Sequence, residues 1–142
     1  MKQLNKKGVS DLKLKNYQIK YIIELLSSLT LKGKQSRMRT RFIKPLLSHY
    51  QENVIKELLN LTEDYSERDE NTEYFKEEQL LLNEEYIIEL NEFNKMTLLS
   101  ISEIVLEGDF DVKGEIAEMY DEWCEQFERV IKYYEDIESA EN

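Results

Sequence analysis

The sequence predicts a mainly α fold: a small helical bundle of four to five helices, with room for a short β strand pair near the middle. Three observations predict it. The 142-residue chain holds only 4 Gly and 1 Pro, too few breakers for the many turns of a sandwich or barrel. Apolar residues recur at steps of three and four in several windows, which is the period of an amphipathic helix. Aromatic residues are plentiful, at 9 Tyr, 5 Phe and 1 Trp, whereas disordered chains are poor in them. The length suits one domain with a moderate core.

Residues 1–15 form a basic N-terminal segment that reads as a tail, a short strand or a frayed start. Residues 16–142 read as a single helical domain. From Asn16, a stripe of Ile19, Ile22, Ile23, Leu26 and Leu29 predicts a helix, with Gly33 as its stop because glycine tolerates a left-handed C′ position. A second, longer helix is predicted over 34–64 on Met38, Phe42, Leu46, Leu47, Tyr50, Val54, Leu58 and Leu61. Pro45 interrupts it and is expected to bend it locally. The polar run TEDYSERDENTE at 62–73 reads as an exposed acidic loop.

A helix of roughly three turns follows, from Glu73 to about Glu85. The run YIIEL at 86–90 fits helix or strand. Over 94–106, Leu98, Ile101, Ile104 and Val105 share a helical face, with a strand as the alternative. Gly108 is a natural stop before the loop GDFDVKG. In the last helix, Ile116, Tyr120, Trp123, Phe127, Val130, Tyr134 and Ile137 alternate steps of four and three. Such a heptad seam packs into a core or onto a second copy, so a homodimer stays open. Asp111 is placed to cap this helix.

Charge is divided unevenly. Residues 1–62 carry 13 Lys/Arg against 4 Asp/Glu, a net of +9, and residues 63–142 carry 6 against 26, a net of −20. An asymmetry this large points to a binding surface or to self-complementarity. Two candidate binding faces follow. Lys34, Arg37, Arg39, Arg41 and Lys44 form a basic patch whose Arg37 and Arg41 share a helix face; it suits phosphate contact, pairing with the acidic half, or simple solvation. On the last helix Glu115, Glu118, Asp121, Glu122, Glu125, Glu128 and Glu135 lie mostly off the apolar seam. Within that set Glu118, Asp121, Glu122, Glu125 and Glu128 form the candidate acidic face, suited to imitating a phosphate backbone. With −20 elsewhere on the chain, bulk nucleic acid is repelled, which disfavours it as a partner.

Catalytic and metal chemistries find little support. The glycines are not spaced to cradle a phosphate. The lone His49 has no evident nucleophile or acid partner and reads as a partly exposed side chain. Cys124 reads as a small buried residue whose neighbours Glu122 and Glu125 raise its pKa. Asp109, Asp111 and Glu115 do not match a calcium loop. The carboxylates are too abundant to mark a catalytic pair. No catalytic residue, metal or cofactor is expected, and the single cysteine allows no internal disulfide. No apolar run approaches the roughly 20 residues of a membrane span, and none near the N-terminus resembles a signal peptide.

The stretches LKGKQSRMRTRFIK (31–44) and FDVKGEIAEMYDEWCEQFE (110–128) resemble an uncharacterised family of small proteins from phages and prophages of Firmicutes, catalogued as domain of unknown function sixteen-seventeen. The order of features is similar too: the early basic stretch, a variable acidic middle, an apolar segment like Met96–Leu106, then a Tyr-Asp…Trp-Cys helix. The resemblance covers most of the chain from about residue 17; Pro45 departs from it. It implies a phage-encoded accessory protein acting in the cytoplasm of the bacterial host. It also marks Gly33, Arg37, Arg39, Arg41, Tyr120, Trp123 and Cys124 as a shared surface or packing junction, and supplies no catalytic residue. The expected function is therefore non-enzymatic binding to another macromolecule, with a protein as the partner. The alternatives are an acidic, nucleic-acid-mimicking inhibitor of a host or defence enzyme, and a nucleic-acid binder using 32–44.

Overall fold

Alternation, not helical periodicity, governs the first element of the computed structural model, which describes residues 10–65 and 71–141. In strand β1 (Asp11–Lys15), Leu12 and Leu14 point into the core and are fully buried, while Lys13 faces out. Its partner is β2 (Glu85–Glu89), paired antiparallel with Lys13 opposite Ile87. These two strands form the one sheet among the described residues. They resolve the ambiguity at 86–90 in favour of a strand and make the end of the basic segment a strand too. Residues 1–9 of that segment lie outside the described residues.

Helix α1 (Asn16–Ser27) follows β1 without a loop and buries Ile19, Ile22 and Leu26. It ends without glycine. The Ser28 amide donates to the Glu24 and Leu25 carbonyls, and the Ser28 hydroxyl donates to Leu25 O at 2.7 Å. Gly33 instead starts helix α2 (Gly33–His49), so the expected stop at Gly33 is corrected.

Helix α2, a wider π-helical turn (Tyr50–Ile55) and α3 (Lys56–Tyr65) run on without interruption. Pro45 lies inside α2, where its missing N–H leaves the Arg41 carbonyl without its helical donor. The irregularity expected there falls five residues later, at the π turn. Phe42, Leu46 and Val54 are buried, and Tyr50 packs against the core that holds Phe42 and Leu46. Four-residue steps drift by about 40° each on an α-helix, and the wider turn takes part of that drift back.

Helix α3 buries no residue, and α4 (Asn71–Asn83), which packs on it, buries Leu81. The loop expected over 62–73 is thus helical at both flanks, through Tyr65 and from Asn71; residues 66–70 lie outside the described residues. Helix α5 (Lys95–Glu107) runs between α2 and α6 (Glu115–Glu141) and packs on both. It is buried along Leu98, Ile101, Ile104 and Val105, so the helical reading of 94–106 holds.

The seam of α6 closes the core. Trp123, Phe127, Val130 and Tyr134 are buried, and Phe127 meets Phe42 edge-on at 6.4 Å. Burying side chains of this size contributes roughly 1.5–3 kcal/mol each. The middle of the seam is filled within one chain, while Ile116, Tyr120 and Ile137 stay half-buried. Asp111 does not cap α6: the amides of Ala117 and Glu118 donate to the carbonyl of Gly114, whose φ is +64°. Phe110 instead folds over Gly108, where any Cβ would collide with its ring, and meets Tyr120 edge-on at 5.5 Å. The Tyr120 hydroxyl donates to Val105 O at 2.7 Å and ties α6 to the end of α5.

Candidate interaction surfaces

The basic motif separates into two parts. Lys34, Arg37, Arg41 and Lys44 are exposed, at steps of three, four and three along the side of α2 away from Phe42 and Leu46. Arg39 is half-buried and shares a hollow of about 220 Å³ with Lys44, Ser27, Thr40 and Ile43. Its Nη1 donates to Leu26 O at 2.8 Å and to Leu29 O at 2.6 Å, closing the open carbonyl end of α1. Arg39 therefore caps α1, a role its neighbours Arg37 and Arg41 do not share.

All five residues of the acidic face, Glu118, Asp121, Glu122, Glu125 and Glu128, are exposed on the side of α6 opposite Trp123 and Phe127. Glu122 accepts a hydrogen bond from Gln18 Nε2 at 3.2 Å. Ten residues of helix span about 15 Å, so these carboxylates recur about every 3.8 Å. One strand of a B-form duplex carries a phosphate per ~3.4 Å of axis. Arg129 and Lys132 interrupt the acidic run before Glu135 and Asp136.

The two faces do not neutralise each other. Among the described residues the ion pairs are Lys95–Glu138 at 2.9 Å and Lys132–Asp136 at 3.4 Å, and neither joins α2 to α6. Both charge sets stay available to partners.

Beside the acidic face lies a groove. A cavity of about 360 Å³ is lined by Tyr17, Lys20 and Tyr21 of α1, Tyr50 of the π turn, Leu82 of α4, and Glu115, Glu118, Met119 and Glu122 of α6. Glu122 also lines a second hollow of about 240 Å³ with Lys13, Lys15, Gln18, Glu85, Glu125, Gln126 and Arg129. There Gln126 grips the outer edge of β1: the Lys13 amide donates to its Oε1 at 2.8 Å, and its Nε2 donates to Lys13 O at 2.7 Å. That side chain pairs an edge that would otherwise be open to another strand.

His49 is half-buried, as its sequence position suggested, but it is not idle. Asn16 Nδ2 donates to Leu81 O, which turns Asn16 Oδ1 toward the ring; His49 Nε2 then donates to it at 2.8 Å. Nδ1 accepts from Asn53 Nδ2 at 3.1 Å, and the ring stacks on Tyr86 at 4.5 Å. Burial lowers its pKa, against the opposing charge of Glu84. Cys124 is half-buried rather than buried. Burial pushes its thiol up; Glu128 and Asp121 add to this while Tyr120 opposes it. The acids that matter are thus one helical turn away, not the sequence neighbours Glu122 and Glu125. The Tyr120 hydroxyl is itself pushed up to about 12, by burial first.

No metal-holding group of His, Cys, Asp or Glu occurs among the described residues, and Asp109, Asp111 and Glu115 form none. None of the described helices is long and apolar enough to cross a membrane. The chain matches no protein-family model, no curated protein and no solved structure.

Sequence reasoning missed the groove. Tyr17 and Tyr21 are one helical turn apart and signal a shared face, but Tyr50 reaches them only through the packing of α1 on the π turn. Gln126 was equally hidden, since its partner lies 113 residues away.

Proposed function

We propose that this is a non-enzymatic binding protein, phage-encoded and acting inside an infected bacterium, whose α6 face docks on a basic surface of another protein. The observation that carries the reading is the row Glu118, Asp121, Glu122, Glu125 and Glu128, exposed and without an ion pair among the described residues. Its linear charge density is close to that of one nucleic-acid strand, and a long helix locked into the core holds it rigid. A surface built to receive phosphates is the natural complement. The phage setting is proposed on the resemblance of 31–44 and 110–128 alone.

The test compares wild type with an Asp121→Asn, Glu125→Gln, Glu128→Gln variant in affinity capture from bacterial lysate, with duplex DNA as competitor. The reading expects proteins that the wild type retains, that DNA displaces and that the variant loses. Equal capture by both proteins, indifferent to DNA, would sink it. A second reading rests on Lys34, Arg37, Arg41 and Lys44 as a phosphate-binding strip. Four contacts predict a log–log salt slope of roughly −3 to −4, and no gel shift at low salt would end it.

A further inference from the structure

We infer that the groove between α1 and α6 is a receptor for a guanidinium group, and that an arginine side chain of the basic partner anchors there. This rests on the docking proposed above and adds what the outer face alone does not supply, a point of specificity.

One side of the groove is aromatic, from Tyr17, Tyr21 and Tyr50; the other is anionic, from Glu115, Glu118 and Glu122. The three phenol hydroxyls and the carboxylates of Glu115 and Glu118 make no hydrogen bond or ion pair among the described residues. Aromatic faces beside unpaired carboxylates are the chemistry that holds an organic cation. The groove already carries one example: Lys20 Nζ sits 5.7 Å from the centroid of the Tyr21 ring. One ammonium against three carboxylates leaves a net of −2 in the lining, so a further positive group is favoured there.

The volume, about 360 Å³, is at the small end for ligand pockets and suits a side chain better than a cofactor. Arginine fits better than lysine because its planar guanidinium stacks on a ring while donating in its plane to a carboxylate. The groove opens beside the acidic row, with Glu118 and Glu122 common to both. A segment lying along α6 can therefore place one arginine in the groove while its other cations meet Asp121, Glu125 and Glu128.

The probes are acetylated tetra-arginine and tetra-lysine peptides and spermidine, titrated at low salt by calorimetry and by amide chemical-shift mapping. The expected result is tighter binding of tetra-arginine than of tetra-lysine, by about fivefold, with shifts at Tyr17, Tyr21 and Glu118. Tyr21→Leu and Tyr17→Leu should each bring the arginine affinity toward that of lysine and leave lysine binding unchanged. Tyr17 is 36% exposed, so its substitution leaves the fold intact even if Tyr21→Leu does not. Glu118→Gln should weaken tetra-arginine more than Asp121→Asn does. An arginine preference that survives both tyrosine substitutions overturns the groove while the acidic face stands. Binding unaffected by Asp121→Asn, Glu125→Gln, Glu128→Gln fails the docking reading instead. Spermidine binding more tightly than tetra-arginine, with the same shifts, overturns a protein segment as the occupant.

Discussion

Truncating Arg39 is the sharpest test of how the basic motif divides. Its Nη1 makes two charge-assisted hydrogen bonds, to Leu26 O at 2.8 Å and Leu29 O at 2.6 Å. Bonds to a charged group contribute about 1.5–3 kcal/mol each when well buried. These acceptors end a helix at a partly buried site, where water can replace some of what is lost. The two bonds and the packing of the arginine stem together then come to about 2 kcal/mol. For a chain of this size that is a fall in Tm of roughly 6 °C. Arg39→Lys keeps the charge but not the fork and should lose about half as much. Arg37→Ala and Arg41→Ala, on the exposed side of the same helix, should stay within about 0.5 kcal/mol of wild type. Thermal unfolding followed by calorimetry measures all four, and amide exchange at Ser28 and Leu29 should quicken only in the Arg39 variants. If Arg39→Ala melts within about 1 °C of Arg37→Ala, the cap is not what holds the end of α1.

Two further outcomes follow from side chains whose partners the sequence did not reveal. Gln126→Ala removes both bonds to the Lys13 backbone and should cost about 1–2 kcal/mol, discounted for the exposure of that edge; amide exchange at Lys13 that stays slow would contradict it. His49 has a folded pKa below its ordinary 6.5, so on acidification the unfolded chain takes up a proton before the folded one does. Stability should therefore fall as pH drops through 6.5 toward the lowered folded value. His49→Gln should flatten that dependence, and an identical slope in wild type and variant would rule His49 out as its source.

Periodicity was enough wherever an element meets the core along one face. The α6 stripe and the α5 positions Leu98, Ile101, Ile104 and Val105 were readable because a buried stripe on a helix must repeat every three or four residues. The charge split was readable for a simpler reason: it is composition. What the stripe could not say was whether it faces its own chain or another, and the packing of Trp123 and Phe127 against Phe42 and α5 answers that for its middle.

Contacts distant in sequence decided the rest. DLKLK is five residues of weak alternation, and it becomes a strand because residues 85–89 lie alongside it. Glycine at 33 is compatible with stopping one helix or starting the next, and local chemistry does not separate the two. Arginine at 39 looks like its neighbours at 37 and 41; only the return of α2 past the end of α1 gives it two carbonyls to hold. The sequence by itself determined the helices, the apolar faces they bury and the sign of the charge on each half. The tertiary structure decided which charges are consumed by the fold and which stay outside, because hydrogen bonds between residues far apart in the chain form only once the core has brought their backbones together.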